Sequence, residues 1–353
     1  MKNKISVLKM AFTFAGCFLG AGYVSGQELW QYFGSYGLIG FAGLTLAIVL
    51  LVVITVIVMD LAMKTGKTGM SDLVVRKDIP WLKALFSLME VFLFFGIGSI
   101  MIAGIGNLFV SLLGLPAYIA CGVATAISAV IGYFGLEGMV AVFSSTSPFL
   151  VVTAFIICIL RLKNVDITGI SCSGGTLNPM LGPWYFSAVN YTALNIFGSI
   201  ALLSPLGNYV EGGRKGIIKG TVIGGAALLV MALFIIFALY SLPESVTDEM
   251  PMLTIAGTVG PAASWIYAVL IFVAMLGIAQ SCTVAVSRQL ETHFAPARKH
   301  KKLEFIIMAV LLYLASLMGF SGLVGFVYPI FGYIGIVSII LVVEHYVSWR
   351  RSK

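Results

Sequence analysis

Apolar segments of transmembrane length repeat along the whole of this chain, and that repetition restricts it to a helical bundle in a membrane. A helix needs about 20 apolar residues to cross a hydrocarbon core about 30 Å thick. Ten stretches qualify, at 8–33, 37–63, 82–111, 117–134, 139–160, 183–206, 217–240, 262–285, 304–319 and 322–347, the ninth being the shortest. Of 353 residues, 60% are hydrophobic and 10% charged, against roughly 25% charged in an average soluble domain; mean hydropathy is +1.05. In lipid every backbone polar group must find an internal partner, which leaves only helices and closed barrels. Continuous apolar runs of this length select the helix. The expectation is an all-α membrane protein of ten transmembrane helices with the lipid bilayer as its solvent.

Lysine and arginine favour cytoplasmic loops near the ends of spans. With the N-terminus inside, 19 of the 21 basic residues fall in inside segments, and only Arg161 and Lys163 fall outside. Moving the count by one span would put a basic cluster on the wrong side, so both termini are expected in the cytoplasm. The net charge of +7 then reflects topology and requires no nucleic-acid partner. The opening lysines and Gly20-Ala21-Gly22 imitate a secretory signal, but hydrophobicity continues through Leu29-Trp30-Gln31-Tyr32-Phe33 without a polar cleavage region. That run is read as a retained span. The five cysteines show neither a disulfide framework nor metal-ligand spacing. His293, His300 and His345 all fall in or beside cytoplasmic segments, which excludes a histidine relay in the core. No cofactor is expected beyond a coupling sodium ion or proton, and no residue pattern specifies an oligomeric state.

The stretch 161–182, rich in Gly, Ser and Pro, is the clearest linker. It divides the chain into two five-helix halves, 1–165 and 166–353, within a single membrane domain. The first half begins inside and the second outside, so the halves have opposite orientation. Transporters built from inverted repeats bind solute near the midplane, on discontinuous helices at corresponding positions of the halves. Spans 1 and 6 therefore correspond, and both are expected to be discontinuous. Between spans 7 and 8, Leu242 to Pro261 is too polar at its start to cross and too apolar at its end to be free loop. It reads either as short helices over the outer mouth, started by prolines, or as a surface hairpin.

Span 1 carries Gly16-Cys17-Phe18-Leu19-Gly20-Ala21-Gly22-Tyr23-Val24-Ser25-Gly26-Gln27-Glu28. Each glycine costs a helix about 1 kcal/mol relative to alanine, and four in thirteen residues predict a break. A break at membrane depth survives only where protein, an ion or a solute satisfies the freed backbone. Gly20, Gly22, Ser25 and Gly26 are accordingly the first half of a candidate substrate site. Span 6 offers Asn190, Thr192, Asn195 and Phe197 as the second half. The glycines would let a solute carboxylate approach backbone, the amides and hydroxyl would supply neutral donors and acceptors, and a zwitterion suits both features. The competing reading is that the glycines let helices pack closely. No lysine or arginine occupies a span interior, so phosphate or a dicarboxylate lacks a counter-ion. Tyr23, Phe94, Phe95, Tyr191 and Phe197 are candidate pocket walls or plain packing residues.

Among fourteen acids, only Glu28 and Glu90 lie at membrane depth away from span ends, where an ionisable group is a functional hypothesis by default. Asp60 and Glu344 sit near cytoplasmic ends and are expected to snorkel. Glu28 is placed to take a proton or a solute ammonium, and Glu90 to take a proton nearer the cytoplasm or to pair with Lys83. Gln280, Ser281 and Thr283 of span 8 complete the candidate coupling residues, with a sodium ion near Gly20, Ser281 and Thr283 as one arrangement. Such hydroxyls also commonly bond their own helix. In span 5, Ser144-Ser145-Thr146-Ser147-Pro148 predicts a kink.

Gly20-Ala21-Gly22-Tyr23-Val24-Ser25-Gly26-Gln27-Glu28, followed by Trp30-Gln31-Tyr32-Phe33-Gly34, resembles the first span of the YkvI-like bacterial membrane proteins. These in turn resemble the amino acid–polyamine–organocation superfamily, whose members share the LeuT-type five-plus-five fold. Phe197-Gly198, the segment from Pro243 to Pro261 and the ten-span count extend the likeness over nearly the whole chain. It implies a multi-pass protein of the bacterial cytoplasmic (inner) membrane and a secondary transporter working by alternating access. The small-molecule substrate implied is an amino-acid-like or amine solute, carried with sodium or protons by symport. The sodium-binding hydroxyl pair of that superfamily has no single match on Gln280-Ser281-Cys282-Thr283, and span 5 lacks a lysine in place of sodium. No nucleotide-binding motif and no reactive constellation marks an enzyme. The alternative from another class is a non-transporting nutrient receptor on a transporter scaffold.

Overall fold

The computed structural model describes residues 4–67, 69–76, 79–133, 137–166, 170–293 and 301–351, with the side chains of 132–147, 201, 288–293 and 301–305 set aside. The apolar runs become helices in the order of the sequence. The first is divided into α1 (Val7–Phe18), α2 (Ala21–Val24) and α3 (Gln27–Tyr32). α4 (Leu38–Thr65), the short α5 (Met70–Val74), α6 (Pro80–Leu113), α7 (Ala117–Tyr133) and α8 (Glu137–Lys163) follow. After an extended stretch come α9 (Trp184–Leu203), α10 (Gly213–Tyr240), α11 (Pro251–Val259), α12 (Pro261–His293), α13 (Lys301–Ser316) and α14 (Phe320–Arg351). Among the described residues, five helices are long and apolar enough to cross a membrane by themselves, and α1 and parts of α7 and α13 are shorter apolar helices.

Local chemistry sets the ends. Proline starts α6, α11 and α12, where its missing N–H is no loss and its fixed φ suits the first turn. Left-handed glycines close α4 and α6: Gly66 (φ 71°) and Gly114 (φ 67°) return their N–H groups to Ala62 and Val110 at 2.9 and 3.0 Å. The segment after α10 forms a 3-10 turn (Pro243–Thr247) and then α11, so the reading of short proline-started helices holds there.

α1 lies along α10, α9 lies between α14 and α4, and α12 packs on α6 and α8. These approaches are close because small residues face each other, the usual device where lipid gives no hydrophobic drive for helix association. A Cβ on Gly224 of α10 would come within 2.7 Å of the Ala11 carbonyl, and one on Gly335 of α14 within 2.2 Å of the Ala193 carbonyl. Large apolar side chains such as Phe12 and Leu38 are 70% and 72% exposed; that surface suits acyl chains rather than water.

One expectation needs correction in the sixth span. α9 is a single helix from Trp184 to Leu203, and regular α geometry gives way only afterwards, to a 3-10 turn at Ser204–Tyr209. Two of the polar side chains at its middle close back onto their own helix: Thr192 Oγ1 donates to Ala188 at 2.9 Å and Asn195 Nδ2 to Tyr191 at 2.9 Å. They occupy the carbonyl ladder without opening it. Asp60 also departs from the snorkelling expectation. It is 1% exposed and is held by Lys64 at 2.8 Å, the Tyr346 hydroxyl at 2.8 Å and Arg214 at 3.6 Å. Glu344 does stay exposed, beside Arg76 at 3.4 Å. The side chains of Ser144 to Ser147 and His293, and His300 entirely, lie outside the described residues.

Candidate functional site

The break in the first span has two joints. At the first, Leu19 N–H still reaches Ala15 at 2.9 Å, but Gly20 turns its N–H to Phe18 and adopts an extended conformation (φ −78°, ψ 171°). At the second, Gly26 is left-handed (φ 84°), a conformation that costs a side chain with Cβ and costs glycine nothing. The freed groups are taken up by neighbours. Met252 N–H of α11 reaches the Ser25 carbonyl at 3.0 Å and the Tyr267 hydroxyl of α12 donates to the Val24 carbonyl; Tyr23 in turn anchors the break by donating its hydroxyl to the Leu228 carbonyl of α10 at 2.6 Å. Backbone departs from helix here because other elements supply what the helix no longer does.

A cavity of about 250 Å³ opens at the first joint. The last turn of α1, Gly20, Gly22 and Glu28 form one wall; Ile97 and Met101 of α6, Leu194, Asn195, Gly198 and Ser199 of α9, Ile278 of α12 and Tyr328 of α14 form the rest. Glu28 is 6% exposed. None of the ion pairs among the described residues includes it. A Cβ on Gly22 would lie 2.7 Å from Glu28 Oε2 and 3.4 Å from the Tyr328 hydroxyl, so the carboxyl occupies the space that the missing side chain leaves. Tyr191 turns its hydroxyl to Glu28 without closing a hydrogen bond of good geometry. At the end of α1, no donor among the described residues bonds the carbonyls of Gly16, Cys17 and Leu19, the terminal acceptors that any helix leaves over.

Four of the candidate residues, Gly20, Gly22, Glu28 and Asn195, thus share one cavity. Others lie elsewhere. Ser25 bonds Gly22 within the break at 2.8 Å, and Gly26 faces Met252 and Leu239. Asn190 bridges three elements, accepting from the Tyr32 hydroxyl at 3.2 Å and donating to the Pro329 carbonyl at 3.0 Å. Thr192 faces Ala47 of α4, and Phe197 is buried in the core. Gln280 donates to Ser128 of α7 at 2.6 Å, and Thr283 lines a separate void of about 10 Å³ with Thr125 and Ser128. Ser281 and Thr283 donate to Gly277 and Ala279 of their own helix, and neither they nor Glu90 line the cavity that holds Gly20. Lys83 pairs with Asp72 at 2.7 Å. Phe95 faces a groove between α6 and α14. Tyr328 and Ser199 are the members sequence reasoning missed. The signal for Tyr328 was the following Pro329: a proline inside an apolar run frees a carbonyl one turn back, here that of Gly325, which accepts from Asn178 at 2.8 Å.

No family profile matches the chain. It is 25% identical over 338 residues to the membrane protein YkvI of Bacillus subtilis (strain 168), covering 96% of this chain and 95% of that one. It is also 25% identical over 338 residues to the protein YyaD of the same bacterium, covering 92% of each. The likeness first carried by span 1 therefore extends end to end. Among solved structures, Mhp1 in an inward-facing conformation superposes with a TM-score of 0.62 at 12% identity, over 96% of this chain and 76% of that one. Mhp1 in a closed conformation with bromovinylhydantoin bound, described as a nucleobase-cation-symport-1 family transporter, gives 0.56 at 15% identity, over 95% and 78%. At these identities the likeness is one of fold: a helical membrane protein of LeuT type.

Proposed function

We propose that this chain is a secondary transporter of a small amino-acid-like or amine solute, working by alternating access and driven by protons or sodium, in the inner membrane of a bacterium. The observation that carries this reading is Glu28, a buried carboxyl in no ion pair among the described residues, facing a cavity at the break in the first span. A solute's positive group or a proton satisfies it, and transport coupled to either uses the same atom.

Ten spans with both termini cytoplasmic fit the contacts. Ends assigned to the inside meet one another: Ile5 N–H bonds Tyr209 at 2.7 Å, and Asp60 binds Arg214 and Tyr346. Ends assigned to the outside do the same: Ser321 N–H bonds Glu249 at 2.6 Å, and Gln27 Nε2 bonds Ser321 Oγ at 2.6 Å. Division into halves at residue 165 fits as well. Exchanging the first five spans for the last five turns the α1–α10 contact into the α9–α4 contact and leaves the α6–α12 contact unchanged, as an inverted repeat requires. The outer bonds of Gln27, Glu249 and Met252 close the cavity on that side, while its walls extend along the last turn of α1 toward the cytoplasm. That arrangement agrees with the higher score against inward-facing Mhp1.

The test is uptake into proteoliposomes of labelled amines and amino acids, with an imposed pH or sodium gradient. Accumulation above equilibrium that collapses with the gradient is the expected result. Saturable binding without uptake of any solute would instead make the chain a receptor.

A further inference from the structure

The titratable groups that interact with Glu28 are tyrosines: Tyr328 of α14 lines the same cavity, and Tyr23 of α2, Tyr32 of α3 and Tyr191 of α9 lie within electrostatic reach, while α6 and α12 face the cavity with Ile97, Met101 and Ile278. The cavity walls contain no lysine, arginine or histidine and no second acid. Beside Glu28 the cavity presents the carbonyls of Gly16, Cys17 and Leu19 at the C-terminal end of α1, where the helix dipole is negative, together with the N–H groups of Ala21 and Gly22 at the start of α2. An ionised carboxylate buried with no cation is strongly disfavoured and takes up a proton instead. A cavity of this kind holds one positive charge, and it has two ways to hold it.

We propose that Glu28 is a shared seat, occupied either by one proton or by the cationic group of the solute, so that the chain exchanges a proton for an organic cation rather than carrying the two together. This rests on the transporter reading and narrows it to exchange. The step balances as a proton transfer. The protonated carboxyl of Glu28 releases its proton to the water of the cavity as an ammonium group arrives, and the carboxylate then pairs with that ammonium. On the other side of the membrane a proton from water displaces the ammonium. No covalent bond to carbon forms or breaks, and nothing is oxidised or reduced. Gly22 is the positioning residue for the seat, since a side chain there would occupy the place of Glu28 Oε2.

The experiment uses the purified full-length protein in weakly buffered detergent with a pH-sensitive dye. Methylammonium, choline and tetramethylammonium are the cationic probes, and sodium chloride the control. At least one cation is expected to release close to one proton per protein, with an apparent affinity that weakens about tenfold for each pH unit below the titration of Glu28. An infrared difference spectrum should show a protonated-carboxyl band that the same cation removes. Both signals should be absent in Glu28→Gln and retained, with weaker affinity, in Glu28→Asp, which guards against a folding defect. The proposal is overturned if no cation releases a proton, if cations bind with no proton released, if Glu28→Gln still releases one, or if sodium chloride does so as fully as the cations. Gradient-driven uptake with no proton release would remove the exchange and leave the transporter; absence of uptake and of release would remove both.

Discussion

The first and sixth spans begin from similar material and end as different structures. Each is an apolar run interrupted near its middle by glycine and polar residues. The first divides into α1, α2 and α3, whereas α9 continues unbroken to Leu203. Polarity is not what separates them, because α9 has two asparagines, a threonine and two serines where the break in span 1 has one serine. The difference lies in where the hydrogen bonds go. In α9, Thr192, Asn195 and Ser199 return theirs to Ala188, Tyr191 and Ile196. In span 1 the glycines have nothing to return, and Met252 and Tyr267 provide partners from other helices. A helix in a membrane breaks where the surrounding fold supplies partners for the freed backbone, not merely where polar residues occur.

Substitutions that reverse these roles give effects of graded size. Gly22→Leu is expected to abolish solute binding, since even a Cβ there meets Glu28 Oε2 at 2.7 Å; circular dichroism should report an intact fold, and undiminished binding would show that the break is only a packing device. Asn190→Ala should act on stability. It removes the acceptor of the buried Tyr32 hydroxyl and the donor to the Pro329 carbonyl, a loss of about 3 kcal/mol that thermal unfolding in detergent would detect. Asn195→Ala loses a bond only within its own helix. Its expected effect is about 1 kcal/mol in solute affinity with little change in unfolding temperature, and a larger stability loss would mean that α9 depends on that amide. Gly198→Ala should do least: its Cβ meets Leu93 at an ordinary 3.6 Å, so folding and binding should stay within about 0.5 kcal/mol.

The helices were legible because hydrophobic length and the placement of lysine and arginine act within one segment at a time. The break at Gly20 and Gly26 was legible for the same reason: glycine has no side chain with which to repair its own backbone. The division of labour among the polar residues was not. Asn190 and Asn195 stand five residues apart and look alike in sequence, yet one joins α9 to α3 and α14 while the other faces the cavity. Which face of a helix meets solute depends on how neighbours rotate it, and periodicity cannot supply that for a span apolar on all sides. Tyr328 enters the site from the far end of the chain, which only the tertiary fold brings near Gly22. Asp60 was misread because its partner Arg214 is contributed by α10, more than 150 residues away.

The central claim is that the charge at the break in span 1 drives accumulation of the solute. Glu28→Gln preserves size and hydrogen-bonding capacity while removing that charge, so initial uptake and steady-state accumulation should be compared in proteoliposomes with wild-type and variant protein under the same pH gradient. The account predicts that the variant folds and inserts normally yet never concentrates the solute above its outside level. Accumulation equal to wild type would contradict it, and would move the coupling site from Glu28 to another acid, with Glu90 the next to test.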